Sequence, residues 1–247
     1  DFKLIQSVMN DAIGSNLAAF QNFTFTNCYW LLGDMPVLDI TVSPLTVDDV
    51  SPAPLLTTVS DINLTSSSLY REFLYYDNQR PHKETKSGYT NPRAWMTNVM
   101  VTDNQCIYTT IFTFQKLNLD ANNSIFSRNT MYSSRMIKSA SGPSPLQINN
   151  ITADSNTLLS SSTLVLKQFD TSKVTGGVDA NSGNSYMMPY SMIVTNFYLT
   201  NTSFDEESRG FNIKGAPILI IANCTFKDLT FNSSSTLMTV TDMLSSV

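Results

Sequence analysis

The stretch Ile220-Ile-Ala-Asn-Cys-Thr-Phe-Lys-Asp-Leu-Thr-Phe231 alternates large apolar residues with Asn, Thr and Lys. The same wording recurs. Asn22-Phe-Thr-Phe-Thr-Asn-Cys-Tyr-Trp30 and Asn196-Phe-Tyr-Leu-Thr-Asn-Thr-Ser-Phe204 share Asn, Phe, Thr and Asn at positions 1, 2, 5 and 6 of a nine-residue phrase. Asn98-Val-Met-Val-Thr-Asp-Asn-Gln-Cys106 fits with Asp at position 6, and Asp61-Ile-Asn-Leu-Thr-Ser-Ser-Ser-Leu69 fits with Ser there. Ile218–Phe226 aligns from position 2 onward, which puts Asn223 at position 6. Weaker copies start at Asp1, Lys116, Asn150 and Asp228.

Spacings between copies suggest a basic unit of about 22 residues, with longer ones carrying insertions, and a period of 20–50 residues signals a repeat architecture. Apolar residues at positions 2 and 4 read as a strand with one buried face. Asn, Asp or Ser at position 6 turns the chain, because Asn and Asp tolerate the left-handed region. A kink there lets positions 7 and 9 point inward as well. Strands that turn and stay apolar inside are the sides of a coil, and stacking coils about 4.8 Å apart buries a continuous core. The expected fold is therefore all-β, a single parallel β-helix (solenoid) over residues 1–247, with a β-sandwich as the alternative. Leucine-rich repeats need a helical return and a Leu-x-x-Leu-x-Leu phrase, which is missing. Residues 2–13 also fit a short helix ending at Gly14, a candidate cap, against a further coil. Insertions are expected near 43–54, 77–92, 128–145 and 170–189, where Pro, Gly and polar residues break the pattern.

The repeats resemble those of right-handed parallel β-helices, the pectin-lyase-like superfamily. The Asn/Ser/Thr-rich, charge-poor wording is most similar to β-helical surface proteins of ciliates and related protists. With only 9 Gly and no Gly-Gly-Ala-Ile phrases, the chain departs from bacterial surface β-helices. The resemblance implies a fold first. Enzymes of that superfamily use carboxylate clusters, with calcium and an Arg in lyases, or three Asp with Gly-His-Gly and Arg-Ile-Lys in hydrolases. Here Arg135-Met-Ile-Lys138 echoes the last phrase, but Gly-His-Gly is missing. The candidate carboxylates are Asp48, Asp49 and Asp205-Glu206-Glu207, each of which also reads as a solvated turn.

Composition narrows the function classes. Charged residues are 14% of the chain, against roughly 25% in an average soluble protein. The gap is filled by 31 Ser, 28 Thr and 23 Asn, a surface chemistry commoner outside cells. Net charge is −5, and no basic stripe interleaved with aromatics points to nucleic acid. No apolar run approaches the ~20 residues of a membrane helix. The three cysteines, Cys28, Cys106 and Cys224, lack C-x-x-C spacing and read as free thiols, with one bridge as the alternative. His82, the lone histidine, lies in a polar loop, and no nucleophile elbow accompanies it. No catalytic residue, cofactor or metal site is assigned.

Sequons for N-glycosylation occur at Asn22, Asn63, Asn122, Asn150, Asn201, Asn223 and Asn232. Composition alone gives about five. Asn22, Asn63 and Asn150 fall at positions expected to face solvent. Asn201 and Asn223, at position 6, are expected first as ladder residues that bond the next coil. The start at Asp1 suggests a piece of a longer protein, and unpaired strand edges at the coil ends suggest self-association or stacking with more of the same chain. The expectation is a non-enzymatic extracellular or cell-surface glycoprotein, structural or adhesive, in rods or filaments. A polysaccharide-cleaving β-helix enzyme and a carbohydrate- or receptor-binding adhesin acting through 77–92 are the alternatives.

Overall fold

In a computed structural model, residues 5–9, 17–30, 36–42, 56–78, 93–115, 117–141, 146–168, 191–215 and 218–241 are described. They form three parallel sheets of 8, 11 and 7 strands, and every pairing is parallel, as in coil-on-coil stacking. Ile5–Met9 is a strand of the 8-stranded sheet, not a helix. Seven coils follow it.

Each coil visits the sheets in one order. Coil 4 is the plainest example. Asn118–Ser127 crosses the 11-stranded sheet, Thr130–Tyr132 the 7-stranded sheet and Arg135–Ser141 the 8-stranded sheet. We call these the kinked, short and return sheets. Residues 128–141, expected as part of an insertion, are thus regular coil. Asp77 and Asn78 likewise close the return strand Leu74–Asn78. Residues 43–54, 79–92, 142–145 and 170–189 lie outside the described residues.

The corners explain the repeat. With Asn22, Asp61, Asn98, Asn123, Asn150, Asn196 and Asn223 as position 1 of the seven coils, every one of these residues has a positive φ between 48° and 63°. Position 6 (Asn27, Ser66, Asp103, Arg128, Ser155, Asn201, Asp228) does too. So does position 11 in Arg71, Tyr108, Ser133, Ser160, Glu206 and Ser233. Three left-handed corners five residues apart therefore bend coils 2–7. A left-handed residue costs about 1–2 kcal/mol unless it is Gly, Asn or Asp, which is why amides and carboxylates fill position 1. The corner N–H groups are not orphaned. Asn22 N–H donates to Ser60 O, Asp61 N–H to Thr97 O and Asn27 N–H to Thr65 O in the next coil, each at 3.2 Å.

The register corrects two expectations. Ser191–Thr195 pairs with Ile218–Ala222, so Asn223 is a position-1 corner equivalent to Asn196 rather than a position-6 residue. Cys224 then matches Phe197, not Thr202. The plain coil is 25 or 27 residues, as the Asn104–Asn129 and Asn129–Asn156 pairs show, rather than about 22. Longer steps of 37, 39 and 46 residues carry their extra chain between the return sheet and the next kinked sheet.

Inside, apolar side chains stack rung on rung. Phe73 meets Phe25 and Phe112 edge-on at 5.2 and 6.0 Å, Phe112 meets Phe126 at 6.2 Å, and Phe197 meets Phe211 at 5.0 Å. Such edge-to-face pairs add about 0.5–1.5 kcal/mol beyond burial. Two polar ladders run through this core. At position 7, Asn104 N–H donates to Asn129 Oδ1 (3.1 Å) and Asn129 N–H to Asn156 Oδ1 (3.0 Å). Ser67 and Thr202 extend the ladder on either side. At position 12, or 13 in coils 6 and 7, which carry one extra left-handed corner residue, the N–H of Thr109, Ser134, Ser161 and Ser208 donates to the hydroxyl of Ser134, Ser161, Ser208 and Ser235 in turn. The buried ladder groups are tolerated because each finds a partner one rung away.

Candidate functional site

The sequon asparagines sort away from the ladders. Asn104, Asn129 and Asn156 are buried, and none begins a sequon. Asn22, Asn150, Asn201, Asn223 and Asn232 are exposed, and Asn63 and Asn122 are half-buried. Asn22, Asn150 and Asn223 occupy position-1 corners. Asn63 and Asn122 lie beside such corners on the kinked sheet, Asn201 is a position-6 corner, and Asn232 follows the last short strand. None sits on the return sheet. Six of the seven therefore gather along the kinked sheet and its flanking corners, while Asn232, in register with Asp205, lies at the far end of the short sheet.

Local contacts differ among them. Asn63 Oδ1 accepts the Thr65 hydroxyl at 2.7 Å, so the first and third residues of that sequon touch. Asn150 Nδ2 donates to Asn123 Oδ1 at 2.8 Å, and Asn122 Oδ1 accepts from Asn149 Nδ2 at 3.2 Å. These make an exposed amide ladder along the kink. Asn201 Nδ2 donates to Asp154 Oδ1 at 2.8 Å. Asn201 does bond the neighbouring coil, but from the surface. The buried ladder is one residue later, at position 7. In the Asn122 sequon the Ser124 hydroxyl is buried, accepting from Val99 N–H and donating to Asn122 O.

Among the described residues, those considered for chemistry do not converge. Asp205, Glu206 and Glu207 form a corner with one extra left-handed residue, where Asp205 Oδ1 accepts Glu206 N–H at 2.8 Å. Arg135 is exposed at the start of its return strand. Lys138 is three residues on, its pKa lowered by burial and by the neighbouring Arg135 and Lys167 cations. Asp48, Asp49 and His82 lie outside the described residues. Among the described residues no group of three His, Cys, Asp or Glu side chains is placed to hold a metal ion. The three cysteines are free. Cys106 is fully buried, which pushes its thiol pKa up to about 12. Cys28 and Cys224 are half-buried in coils 1 and 7, with Cys224 Sγ 3.4 Å from Ala222 O. Cys106, buried on all sides, is a packing group, not a nucleophile.

No protein-family model matches the chain, and no curated protein does. Among the described residues no helix is long and apolar enough to cross a membrane.

The nine-residue phrase of the sequence missed one surface feature because it stops at position 9. Positions 10 and 11 form a stripe where the short sheet turns into the return sheet. Tyr70, Tyr108 and Tyr132 meet there edge-on at 5.9 and 5.7 Å, yet Tyr108 stays 55% exposed. Strand register rather than a fixed period brings these tyrosines into line, since Ile107 pairs with both Tyr70 and Tyr132.

Proposed function

We propose that the chain is a β-solenoid segment of a secreted or cell-surface glycoprotein with a structural or adhesive role. The observation that supports this best is the sorting of the asparagines. Five sequon asparagines are exposed and two half-buried, while the three fully buried ladder asparagines begin no sequon. N-linked glycans are bulky and belong on surfaces. The gathering of all but Asn232 along the kinked sheet and its flanking corners gives the rod a glycan-bearing side. The low charge and abundant hydroxyls suit a surface hydrated by neutral groups.

A stacked-coil rod also suits a load-bearing or spacing role, since each coil contacts only its neighbours and length adds without changing the cross-section. The likeness to protist β-helical surface proteins belongs to this reading. Secretion from a eukaryotic host followed by mass spectrometry of intact glycopeptides tests it. Glycans at Asn22, Asn150 and Asn223 are expected. Unmodified asparagines at all three in secreted material would sink the glycoprotein reading.

A further inference from the structure

Position 11 reads Arg71, Tyr108, Ser133, Ser160 and Glu206 from coil 2 to coil 6. Position 10 reads Tyr70, Ile107, Tyr132, Leu159 and Asp205 beside it. The stripe begins with a cation, ends with the Asp205-Glu206-Glu207 run, and between them carries aromatic and aliphatic side chains with two serines, Ser133 and Ser160. Its centre is coil 4, at Tyr132 and Ser133. From this geometry we propose that the stripe is a lateral pairing surface for a second copy of this chain, packed antiparallel about a two-fold axis through coil 4.

The argument is self-complementarity. A two-fold interface sets residue i against j and j against i. Reversal about coil 4 places Arg71 of one copy opposite Glu206 of the other, and Tyr70 near Asp205. Ile107 meets Leu159, Tyr108 lies over Ser160, and Tyr132 meets its own mate on the axis. Rungs are about 4.8 Å apart, so coil 2 and coil 6 are separated by four rungs, or about 19 Å along the stripe, and the charged ends bracket the uncharged middle. A parallel pairing would instead stack cation on cation and acid on acid. Arg71 need not give up the contact it already makes, because a guanidinium has five donors.

Three further features point to a contact. Tyr108 holds φ at 50°, a left-handed value that a bulky residue adopts at a cost, and strained residues of this kind cluster at functional surfaces. Tyr and Arg are the residues enriched at interface hot spots. Ile107 and Tyr132 are each 40% exposed, and no sequon falls at positions 10 or 11 in coils 2–6. The stripe is narrow, so the pairing is of the weak class that buries little surface, strengthened wherever several rods lie side by side.

Sedimentation equilibrium of the full chain over a wide concentration range tests this, and unglycosylated protein serves because the stripe bears no sequon. Its outcome is therefore separate from that of the glycopeptide experiment. A reversible dimer is expected, weakened by added salt. Arg71→Glu is expected to weaken it at least tenfold, and Glu206→Arg with Glu207→Arg likewise. All three changes in one chain restore the charge pairing and are expected to return association to near the native value. Tyr108→Asn keeps a residue that favours the corner while removing the ring, and is expected to weaken pairing without lowering thermal stability. A monomer at all concentrations overturns the proposal. So does association indifferent to Arg71→Glu, which would place the contact at the coil ends, or a triple variant no better than its components.

Discussion

Coil 4 and coil 7 follow the same pattern in the same register, yet only one of them has a finished core. In coil 4 the inward Leu119, Ala121, Met131 and Ile137 are fully buried, and Asn129 exchanges hydrogen bonds with coils on both sides. In coil 7 the inward Leu219, Ile221, Phe226 and Met238 are only partly buried, and Phe231 and Val240 are exposed. Where the ladder would continue, coil 7 has Leu229. A coil thus supplies only half of its own burial, and the neighbour on each side supplies the rest. Stability in such a stack is a sum of nearest-neighbour terms, so the same substitution has a different cost at different rungs.

Matched truncations expose that difference most strongly. Phe112 is fully buried between Phe73 and Phe126. Phe112→Ala is expected to cost about 4 kcal/mol, and Phe226→Ala at the last coil about 1.5 kcal/mol. Urea unfolding of the two variants makes the comparison. Equal losses would mean that coil 7 is packed as well as coil 4, against the reading above. Next comes the ladder. Asn129→Ala removes the acceptor for Asn104 N–H and the donor to Val101 O. Leaving such groups unpaired in the core is expected to cost about 3 kcal/mol. Asn201→Ala, at an exposed corner, is expected to cost less than about 1 kcal/mol.

Cys106 separates the middle from the ends by pH. Its folded pKa, about 12, is raised above the ordinary thiol value by burial. The unfolded chain therefore loses this proton first, near pH 8.5. Stability from the protonated thiol is complete below that pH and is lost as pH rises toward 12, at about 1.4 kcal/mol per pH unit. Denaturation midpoints at pH 8 and 10 are expected to differ by about 2 kcal/mol from this group, and Cys106→Ser to remove that part of the slope. Thiol reagents are expected to modify Cys28 and Cys224 in the native protein and Cys106 only after unfolding. Native labelling of Cys106 would show the middle coils to be open.

What could be read from sequence follows from which chemistry each position demands. Alternating apolar residues beside Asn or Asp at fixed spacing carried the solenoid, because left-handed corners restrict residue choice. The same restriction misled the register of the last coil. Positions 1 and 6 are both left-handed corners, both accept Asn, and lie five residues apart. Asn223 fits either by type, and only pairing with Asn196 decides. Coil 4 hid behind the adjacent Asn122 and Asn123. The position-7 ladder hid because Cys28, Ser67, Asn104, Thr202 and Leu229 share no residue type, only a place. An exposed Asn150 and a buried Asn129 look alike until a neighbouring coil is laid against them. The tyrosine stripe needed the strand register, since Tyr70, Tyr108 and Tyr132 are 38 and 24 residues apart and align only through it.

The smallest effect lies on the outer rim and marks the limit of the neighbour rule. Asp154 accepts the Thr200 hydroxyl at 2.6 Å and Asn201 Nδ2 at 2.8 Å, both from the next coil, and the Ser155 hydroxyl from its own. These hydrogen bonds hold its carboxyl below the usual carboxylate range. A depressed folded pKa means the stabilisation is present above the unfolded value near 3.9 and is lost as pH falls below it. The group is only half-buried, so solvent screening leaves little of that shift as stability. Asp154→Asn is expected to flatten the acid limb of the stability profile below about pH 4 by under about 1 kcal/mol, and to leave the alkaline limb unchanged. An effect as large as that of Asn129→Ala would show that inter-coil bonds at the rim stabilise the stack as much as those inside. Burial on both sides would then not be what distinguishes coil 4 from coil 7.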